Sequence, residues 1–87
     1  MIVAYAPAAR AEVIQAVRWY ADVAGEPIAD AFEQELDAAV KLLMRFPRLK
    51  LRLNRFPYTL HYRADAESIW IVAVANQRRR PGYWGDR

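Results

Sequence analysis

The spacing of apolar residues changes once along this 87-residue chain, near Pro47, and this change limits the possible folds more than any other feature. Before Pro47, apolar residues recur every three or four positions, which is the buried stripe of an amphipathic helix. After Pro47, they alternate with polar residues, which is typical of strands with one buried face. The pattern therefore predicts a helical first half and a β-sheet second half.

Two helices are predicted in the first half, after a short strand at Ile2–Tyr5. The first helix spans Ala8–Ala24 and is expected to end at Gly25, since glycine favours the turn that closes a helix. The second helix opens at Pro27, a residue suited to the first helical turn, and ends before Pro47. Because only two or three residues join the two helices, we expect them to pack as an antiparallel hairpin.

Three strands are predicted after the helices, at Leu49–Asn54, Phe56–Arg63 and Ser68–Ala75, followed by a tail over Asn76–Arg87. Ser68–Ala75 is apolar on both faces, so it should be a central strand. The predicted fold class is α+β with the order β-α-α-β-β-β. A helical hairpin covers one face of a small, mostly antiparallel sheet, and residues 1–87 form a single domain.

Charge is divided between the two halves of the chain. Residues 1–40 carry two basic and seven acidic side chains, a net charge of −5, and residues 41–87 carry eleven basic and three acidic ones, a net charge of +8. On the predicted fold this becomes an acidic helical layer behind a basic sheet and tail. Such an asymmetry indicates a polyanionic partner, a basic tail, or both. The open sheet face is expected to carry three basic residues, Lys50, Arg52 and Arg63, and the histidine His61.

Composition excludes several classes of protein. The chain has no cysteine and one histidine, which excludes a disulfide framework, a thiolate zinc site and a His-rich metal site. It has one serine and one threonine, so a hydroxyl-based catalytic triad is not credible. No apolar run approaches the ~20 residues of a membrane span, and the N-terminus lacks a signal-peptide pattern. We expect a cytoplasmic protein with no cofactor, no metal and no membrane partner.

Three consecutive arginines, Arg78, Arg79 and Arg80, precede Pro81. Proline disfavours the helical region for the residue before it, so we expect an extended segment with splayed guanidinium groups. Such a segment is suited to clamp a phosphate or a carboxylate through bidentate hydrogen bonds. The alternatives are a solvated charged tail or pairing of one arginine with a carboxylate of the helices.

Four aromatic residues outside the predicted core are candidate contacts. Tyr83 is a candidate for base stacking or for proton transfer, whereas Trp84 is expected to anchor the tail to the domain. Trp19 lies off the apolar stripe of its helix, and Trp70 faces away from Ile69 and its neighbours on the less covered sheet face. Because tryptophan is frequent at interface hot spots, Trp19, Trp70 and Trp84 are the candidate partner-binding residues.

The order of elements and several motifs resemble the RelE/ParE family of bacterial type II toxins over essentially the whole chain. The motifs that carry the resemblance are Trp19-Tyr20, Phe32 and Leu36, Phe46-Pro47, Arg55-Phe56-Pro57-Tyr58, Leu60-His61-Tyr62-Arg63, Ile71-Val72-Ala73-Val74, and the tail Arg78-Arg79-x-Pro81-x-Tyr83-Trp84-x-x-Arg87. The chain looks most like the ParE members, often called plasmid-stabilisation toxins. The resemblance implies a cognate antitoxin that neutralises the toxin by wrapping a segment around it.

Two positions depart from the family pattern. Asn76 stands where many relatives have histidine, and Thr59 stands where RelE-type ribosome-dependent nucleases have a catalytic arginine. Threonine cannot neutralise charge that develops on a phosphate as arginine does. The resemblance with these departures predicts a toxin that inhibits DNA gyrase by binding and is no enzyme.

Two alternatives stay open. The first is an mRNA endonuclease acting on the ribosome, in which Arg78 and Arg79 stabilise the scissile phosphate and Tyr83 or His61 moves protons. The second is a decayed toxin that retains antitoxin binding alone. For a target or phosphate surface, the predicted contacts are Arg78, Arg79, Arg80, Lys50, Arg52 and Arg63.

Overall fold

A computed structural model describes residues 2–87 and contains the predicted order of elements. The elements are β1 (Ile2–Tyr5), α1 (Pro7–Ala24), α2 (Glu26–Arg45), β2 (Leu51–Arg52), β3 (Tyr58–Ala64) and β4 (Ser68–Asn76). The helices pack against each other and cover one face of the sheet. The predicted α+β class and β-α-α-β-β-β order are confirmed.

The four strands form one sheet in the order β1-β4-β3-β2. Strand β1 runs parallel to β4, and the other two pairs are antiparallel, so the sheet is mostly antiparallel as predicted. Strand β4 is central, as its two apolar faces indicated. The short β1 pairs only from Ile2 with Ser68 to Tyr5 with Ile71. The second half of β4 therefore has no strand partner on the β1 side.

One residue, Gly25, joins the two helices, where two or three were predicted. Its φ of 93° lies in the region that favours glycine, so the chain reverses in a single step. Helix α2 then begins at Glu26, with Pro27 in its first turn, where the missing N–H costs no helical hydrogen bond.

The core lies between the helices and the inner face of the sheet. Four aromatic rings form its centre, with neighbouring centroids 5.0–6.4 Å apart. They are Tyr20, Phe32, Phe56 and Tyr58. Phe32 has no exposed surface, and burying a side chain of this size contributes about 1.5–3 kcal/mol to stability.

Strand β2 is shorter than the predicted Leu49–Asn54, and the chain leaves the sheet after Leu53, whose N–H donates a hydrogen bond to the Tyr58 carbonyl. The Glu35 carboxylate of α2 accepts hydrogen bonds from the backbone N–H groups of Asn54 and Arg55. These amides are therefore held by a side chain of the helix layer and not by a strand. Strand β3 starts at Tyr58, two residues later than predicted.

The pairing of β3 with β4 contains a bulge. His61 pairs with Ala73 and Tyr62 pairs with Ile71, so Val72 is an extra residue in β4. Before the bulge, Trp70 lies on the outer face beside Arg63 and is 43% exposed. Its orientation away from the helices is the one predicted.

Candidate functional site

The C-terminal tail folds into turns, so the prediction of an extended arginine segment is wrong. The Asn76 side-chain oxygen accepts a hydrogen bond from the Arg78 N–H at 2.9 Å, and the Asn76 carbonyl accepts one from the Arg79 N–H at 3.0 Å. Asparagine favours such turns because its side chain bonds to the backbone two residues on. Pro81 restricts only the residue before it and cannot extend the whole segment.

Glu12 of α1 is the centre of the contacts that hold this tail, and it was not among the predicted site residues. Its Oε1 accepts hydrogen bonds from the Val74 N–H at 3.1 Å and from Arg87 Nη1 at 2.9 Å. Its Oε2 accepts a hydrogen bond from the Tyr83 hydroxyl and lies 3.7 Å from Arg79 Nη1. The Glu12 side chain is only 10% exposed.

This cluster completes the edge of β4 that β1 leaves unpaired. The Val74 N–H is bonded to Glu12, and the Val72 carbonyl accepts a hydrogen bond from Arg87 Nη1 at 3.3 Å. Backbone groups at such an edge need partners when water is excluded, and here side chains supply them.

A sequence signal for Glu12 existed: it lies within the buried stripe of α1, three residues after Ala9 and four before Ala16. A carboxylate in such a stripe is rarely left unpaired.

Two titratable side chains near the tail have shifted pKa values. Burial and the hydrogen bond to Glu12 raise the pKa of Tyr83 to about 12. Burial lowers the pKa of His61 from its usual value, an effect that the negative charge of Glu12 opposes. At neutral pH both groups are therefore held in their uncharged forms.

Trp84 covers the middle of the outer sheet face. Its ring stacks on His61 with centroids 3.7 Å apart and 18° between the ring planes. On that face, Ala73 and Ala75 are buried, although they lie outside the helix-side core. The sheet face predicted to be open is thus partly covered by the tail, and Trp84 has the anchoring contact expected of it.

Two grooves flank the tail. The first, called the sheet-face groove, has a volume of about 1020 Å³. Its polar and aromatic lining includes Arg48, Lys50, His61, Arg63 and Trp84. The second, called the helix–tail groove, has a volume of about 730 Å³. Its lining includes Trp19, Val23, Ile28, Arg55, Arg78, Arg79 and Tyr83.

The predicted basic residues therefore do not form one surface. Lys50 and Arg63 line the sheet-face groove, whereas Arg78 and Arg79 line the helix–tail groove. Arg52 lies apart from both grooves, where its Nη2 donates a hydrogen bond to the Gln77 side chain at 3.0 Å. Arg80 is exposed and lines neither groove, and neither does Trp70.

Comparison with known proteins assigns the family. The family described as "ParE toxin of type II toxin-antitoxin system, parDE" matches residues 3–81, which is most of the chain. The chain belongs to the ParE toxin family. A solved structure described as "Chromosomal ParDE TA system from P. aeruginosa" has the same fold, with a TM-score of 0.75 and 19% sequence identity. The match covers 87% of this chain and 95% of that one. No curated protein sequence matches the chain.

In this ParE-family chain, the residues proposed for a nuclease are not gathered at one place. Arg78, Arg79 and Tyr83 line the helix–tail groove, and His61 lines the sheet-face groove beneath Trp84. Arg79 and Tyr83 are both engaged with Glu12. Of the two alternative proton carriers, Tyr83 shares a groove with Arg78 and Arg79, whereas His61 does not.

The helices and the acidic side chains of residues 2–87 limit the kinds of site that this ParE-family chain can hold. No helix in that range is both long and apolar enough to cross a bilayer. No group of three or more histidine or carboxylate side chains in the same range is arranged to bind a metal ion.

Proposed function

We propose that this chain is the toxin of a type II toxin–antitoxin system, that it inhibits DNA gyrase by binding, and that a cognate antitoxin neutralises it. The observation that carries the proposal is the engagement of its candidate proton carriers in the fold. The Tyr83 hydroxyl is bonded to Glu12, and the His61 ring is stacked under Trp84. We expect the protein to act in the cytoplasm, where gyrase is found.

The pKa of Tyr83 argues against proton transfer by this residue. General acid–base catalysis is most efficient when the pKa of the group lies near the working pH. The pKa of Tyr83 is raised to about 12, and its proton is already donated to a carboxylate. Thr59 also stands where nuclease relatives have arginine, so the cation that those relatives place at this position of β3 is missing here.

The helix–tail groove has the chemistry expected of an antitoxin-binding surface. Its apolar lining is unusually open, since Trp19, Val23 and Ile28 are 55%, 63% and 41% exposed. Arg78 adds positive charge to the same groove, and Arg55 lines it while paired with Glu35 at 3.3 Å. An antitoxin segment that alternates apolar side chains with carboxylates would bury the first set and pair with the second.

Ribosome-dependent mRNA cleavage is the second candidate, and the sheet-face groove favours it. Arg48, Lys50 and Arg63 line that groove together with His61, so a phosphate and a proton carrier could meet there. The third candidate is a toxin that has lost its activity. Its basis is Asn76, which stands where many relatives have histidine and whose side chain holds the turn that starts the tail.

Assays on the purified protein separate these candidates. We expect inhibition of gyrase supercoiling and intact mRNA, with and without ribosomes. Cleavage of mRNA only when ribosomes are present would replace the gyrase proposal with the nuclease. Normal growth of cells that accumulate soluble, folded protein would contradict both active forms and leave antitoxin binding as the retained function.

The neutralising partner has its own test. A peptide that alternates leucine with glutamate should bind, and Trp19→Ala should weaken binding at least tenfold, since tryptophan anchors dominate such interfaces. Trp70→Ala is the matched control, because Trp70 is similarly exposed but lines neither groove. Equal losses in the two variants would contradict the assignment of the helix–tail groove.

A further inference from the structure

We propose that Glu12 is a positioning residue that latches the C-terminal tail to α1 and β4, and so fixes where Arg78 and Arg79 stand in the helix–tail groove. The effect of Glu12 on the position of the tail is independent of any target. The consequence of that position for target binding rests on the proposed function.

The first argument is the set of elements that meet at this one carboxylate. Glu12 belongs to α1, Val74 to β4, and Tyr83 and Arg87 to the tail. The partners lie 62, 71 and 75 residues from Glu12 along the chain. One side chain therefore connects the first helix, the unpaired edge of β4 and the tail.

The second argument is that both carboxylate oxygens of Glu12 are engaged. Oε1 takes the Val74 N–H and Arg87, and Oε2 takes the Tyr83 hydroxyl and lies near Arg79. A carboxylate is an acceptor at both oxygens, whereas an amide of the same shape has one acceptor and one donor group. An NH₂ group in place of Oε1 would face two donors, the Val74 N–H and Arg87. An NH₂ group in place of Oε2 would make the Tyr83 hydroxyl the acceptor, and either change removes the negative charge that attracts Arg79 and Arg87.

The third argument concerns how Arg79 is held. Its guanidinium carbon lies 3.9 Å from the centroid of the Tyr83 ring, and Tyr83 is bonded to Glu12. Glu12 thus holds Arg79 both directly and through the aromatic ring beneath it. Two guanidinium groups, those of Arg79 and Arg87, meet one carboxylate. The latch consequently leaves a net positive charge of one at this place, and the tail remains cationic.

The remaining contacts between tail and body reach Arg78 and Arg79 at their backbone N–H groups, which are bonded to Asn76 at the end of β4. Trp84 stacks on His61, and Arg63 Nη2 donates to the Arg87 carbonyl at 3.1 Å. At the start of the tail, the Gln77 N–H is bonded to the Pro57 carbonyl. Glu12 adds contacts to the side chains of Arg79, Tyr83 and Arg87.

The test compares Glu12→Gln with Glu33→Gln, a control on the exposed face of α2 that has no ion pair within residues 2–87. In Glu12→Gln, the titration of Tyr83 should move from about 12 toward the ordinary tyrosine value of 10. The titration of Tyr83 is isolated from that of the other tyrosines by subtracting the tyrosinate absorbance of Glu12→Gln/Tyr83→Phe from that of Glu12→Gln. Trypsin cleavage after Arg78 and Arg79 should become about tenfold faster, because the tail opens more often.

A Tyr83 titration and a cleavage rate that both equal those of Glu33→Gln would overturn the proposal. If Glu12→Gln fails to fold, the double variant Tyr83→Phe/Arg87→Ala keeps the bond from Glu12 to Val74 and releases the tail alone. It should show the same faster cleavage, and an unchanged rate there would also overturn the proposal.

The functional consequence is read separately. If the wild type inhibits gyrase supercoiling, Glu12→Gln should need about tenfold more protein for the same inhibition. Full potency with a released tail would contradict the positioning of Arg78 and Arg79. A wild type that does not inhibit gyrase would contradict the proposed function and leave the result on the tail intact.

Discussion

The hydroxyl of Tyr83 donates a hydrogen bond to the carboxylate of Glu12, which joins the C-terminal tail to the first helix. The acidic first half and the basic second half of the chain therefore meet inside the domain. Part of the positive charge of the tail is used there, by Arg79 and Arg87. The arginines left for an external partner are fewer than the sequence indicates.

Removing the Tyr83 hydroxyl should destabilise the protein. Tyr83→Phe keeps the ring under Arg79 but deletes a hydrogen bond to a charged acceptor, which costs about 1.5 kcal/mol. The measurement is the free energy of unfolding in urea at pH 7. Tyr5→Phe is a suitable control, since no side-chain hydrogen bond from Tyr5 occurs within residues 2–87. Equal stability of the wild type and Tyr83→Phe would contradict the assigned bond.

The stability difference between the wild type and Tyr83→Phe should depend on pH. The pKa of Tyr83 is raised to about 12 in the folded state, from about 10 in the unfolded chain. A raised pKa means that the folded state binds the proton more tightly, so the contribution is present in full below pH 10 and is lost between pH 10 and 12. The stability difference between the wild type and Tyr83→Phe should therefore shrink across that window. A difference that stays constant up to pH 12 would contradict this.

Trp84 should contribute more to the free energy of unfolding than Trp19. Trp84 is half-buried on His61 and the outer sheet face, whereas Trp19 is 55% exposed. Trp84→Ala should lower the unfolding free energy by about 2 kcal/mol, and Trp19→Ala by less than about 1 kcal/mol. Urea unfolding of both variants makes the comparison. A larger loss in Trp19→Ala would reverse the roles given to the two residues.

Trp84→Ala should also change the titration of His61. Burial lowers the pKa of His61, so uncovering its ring should raise the pKa toward the usual 6.5. In the wild type, the folded state disfavours the protonated imidazole, so stability should fall as the pH drops through 6.5. Histidine proton resonances in NMR spectra, followed against pH, report this one histidine directly. An unchanged pKa in Trp84→Ala would show that another group buries the ring.

The sequence was sufficient to predict the helices and strands but not the contacts between them. The change in apolar period at Pro47 correctly separated helices from strands, because burial on one face dictates the period of each element. The point where the chain leaves the sheet after β2 was not predictable, since the next backbone N–H groups, those of Asn54 and Arg55, are bonded to Glu35 of α2. Contacts between residues far apart in the chain leave no local pattern.

The tail illustrates the same limit at the candidate site. Composition and resemblance identified the arginine and aromatic residues of the tail, but they did not predict which groove each side chain would line. The turn at Asn76 and the latch at Glu12 decide which groove each arginine enters. Glu12 reads from the sequence as one of seven carboxylates in the acidic half. Only its position in a buried stripe distinguished it.

Glu35 should contribute more stability than its neighbour Glu33. Its carboxylate accepts two backbone N–H groups of the segment that follows β2, and the side chain is only 17% exposed. Glu35→Ala should cost about 1 kcal/mol, comparable to the loss of a helix cap. Glu33→Ala makes the same change in helix propensity at an exposed position and should stay within about 0.5 kcal/mol of the wild type. Similar unfolding free energies for the two variants would contradict the bracing role of Glu35.

The last prediction separates the three consecutive arginines. Within residues 2–87, Arg78 forms no ion pair but lines the helix–tail groove, whereas Arg79 is tied to Glu12 and Tyr83. Arg78→Ala should reduce growth inhibition at least tenfold with an unfolding free energy within about 0.5 kcal/mol of the wild type. Arg79→Ala should reduce both quantities, because it removes a guanidinium from the latch.

Arg80→Ala is the matched control, since Arg80 is exposed and lines neither groove, and it should leave toxicity and stability unchanged. The measurement is the inducer concentration that halves the growth rate, at equal levels of soluble protein. Full toxicity of the double variant Arg78→Ala/Arg79→Ala would eliminate the tail arginines as target contacts. The sheet-face groove, with Lys50 and Arg63, would then become the surface to mutate next.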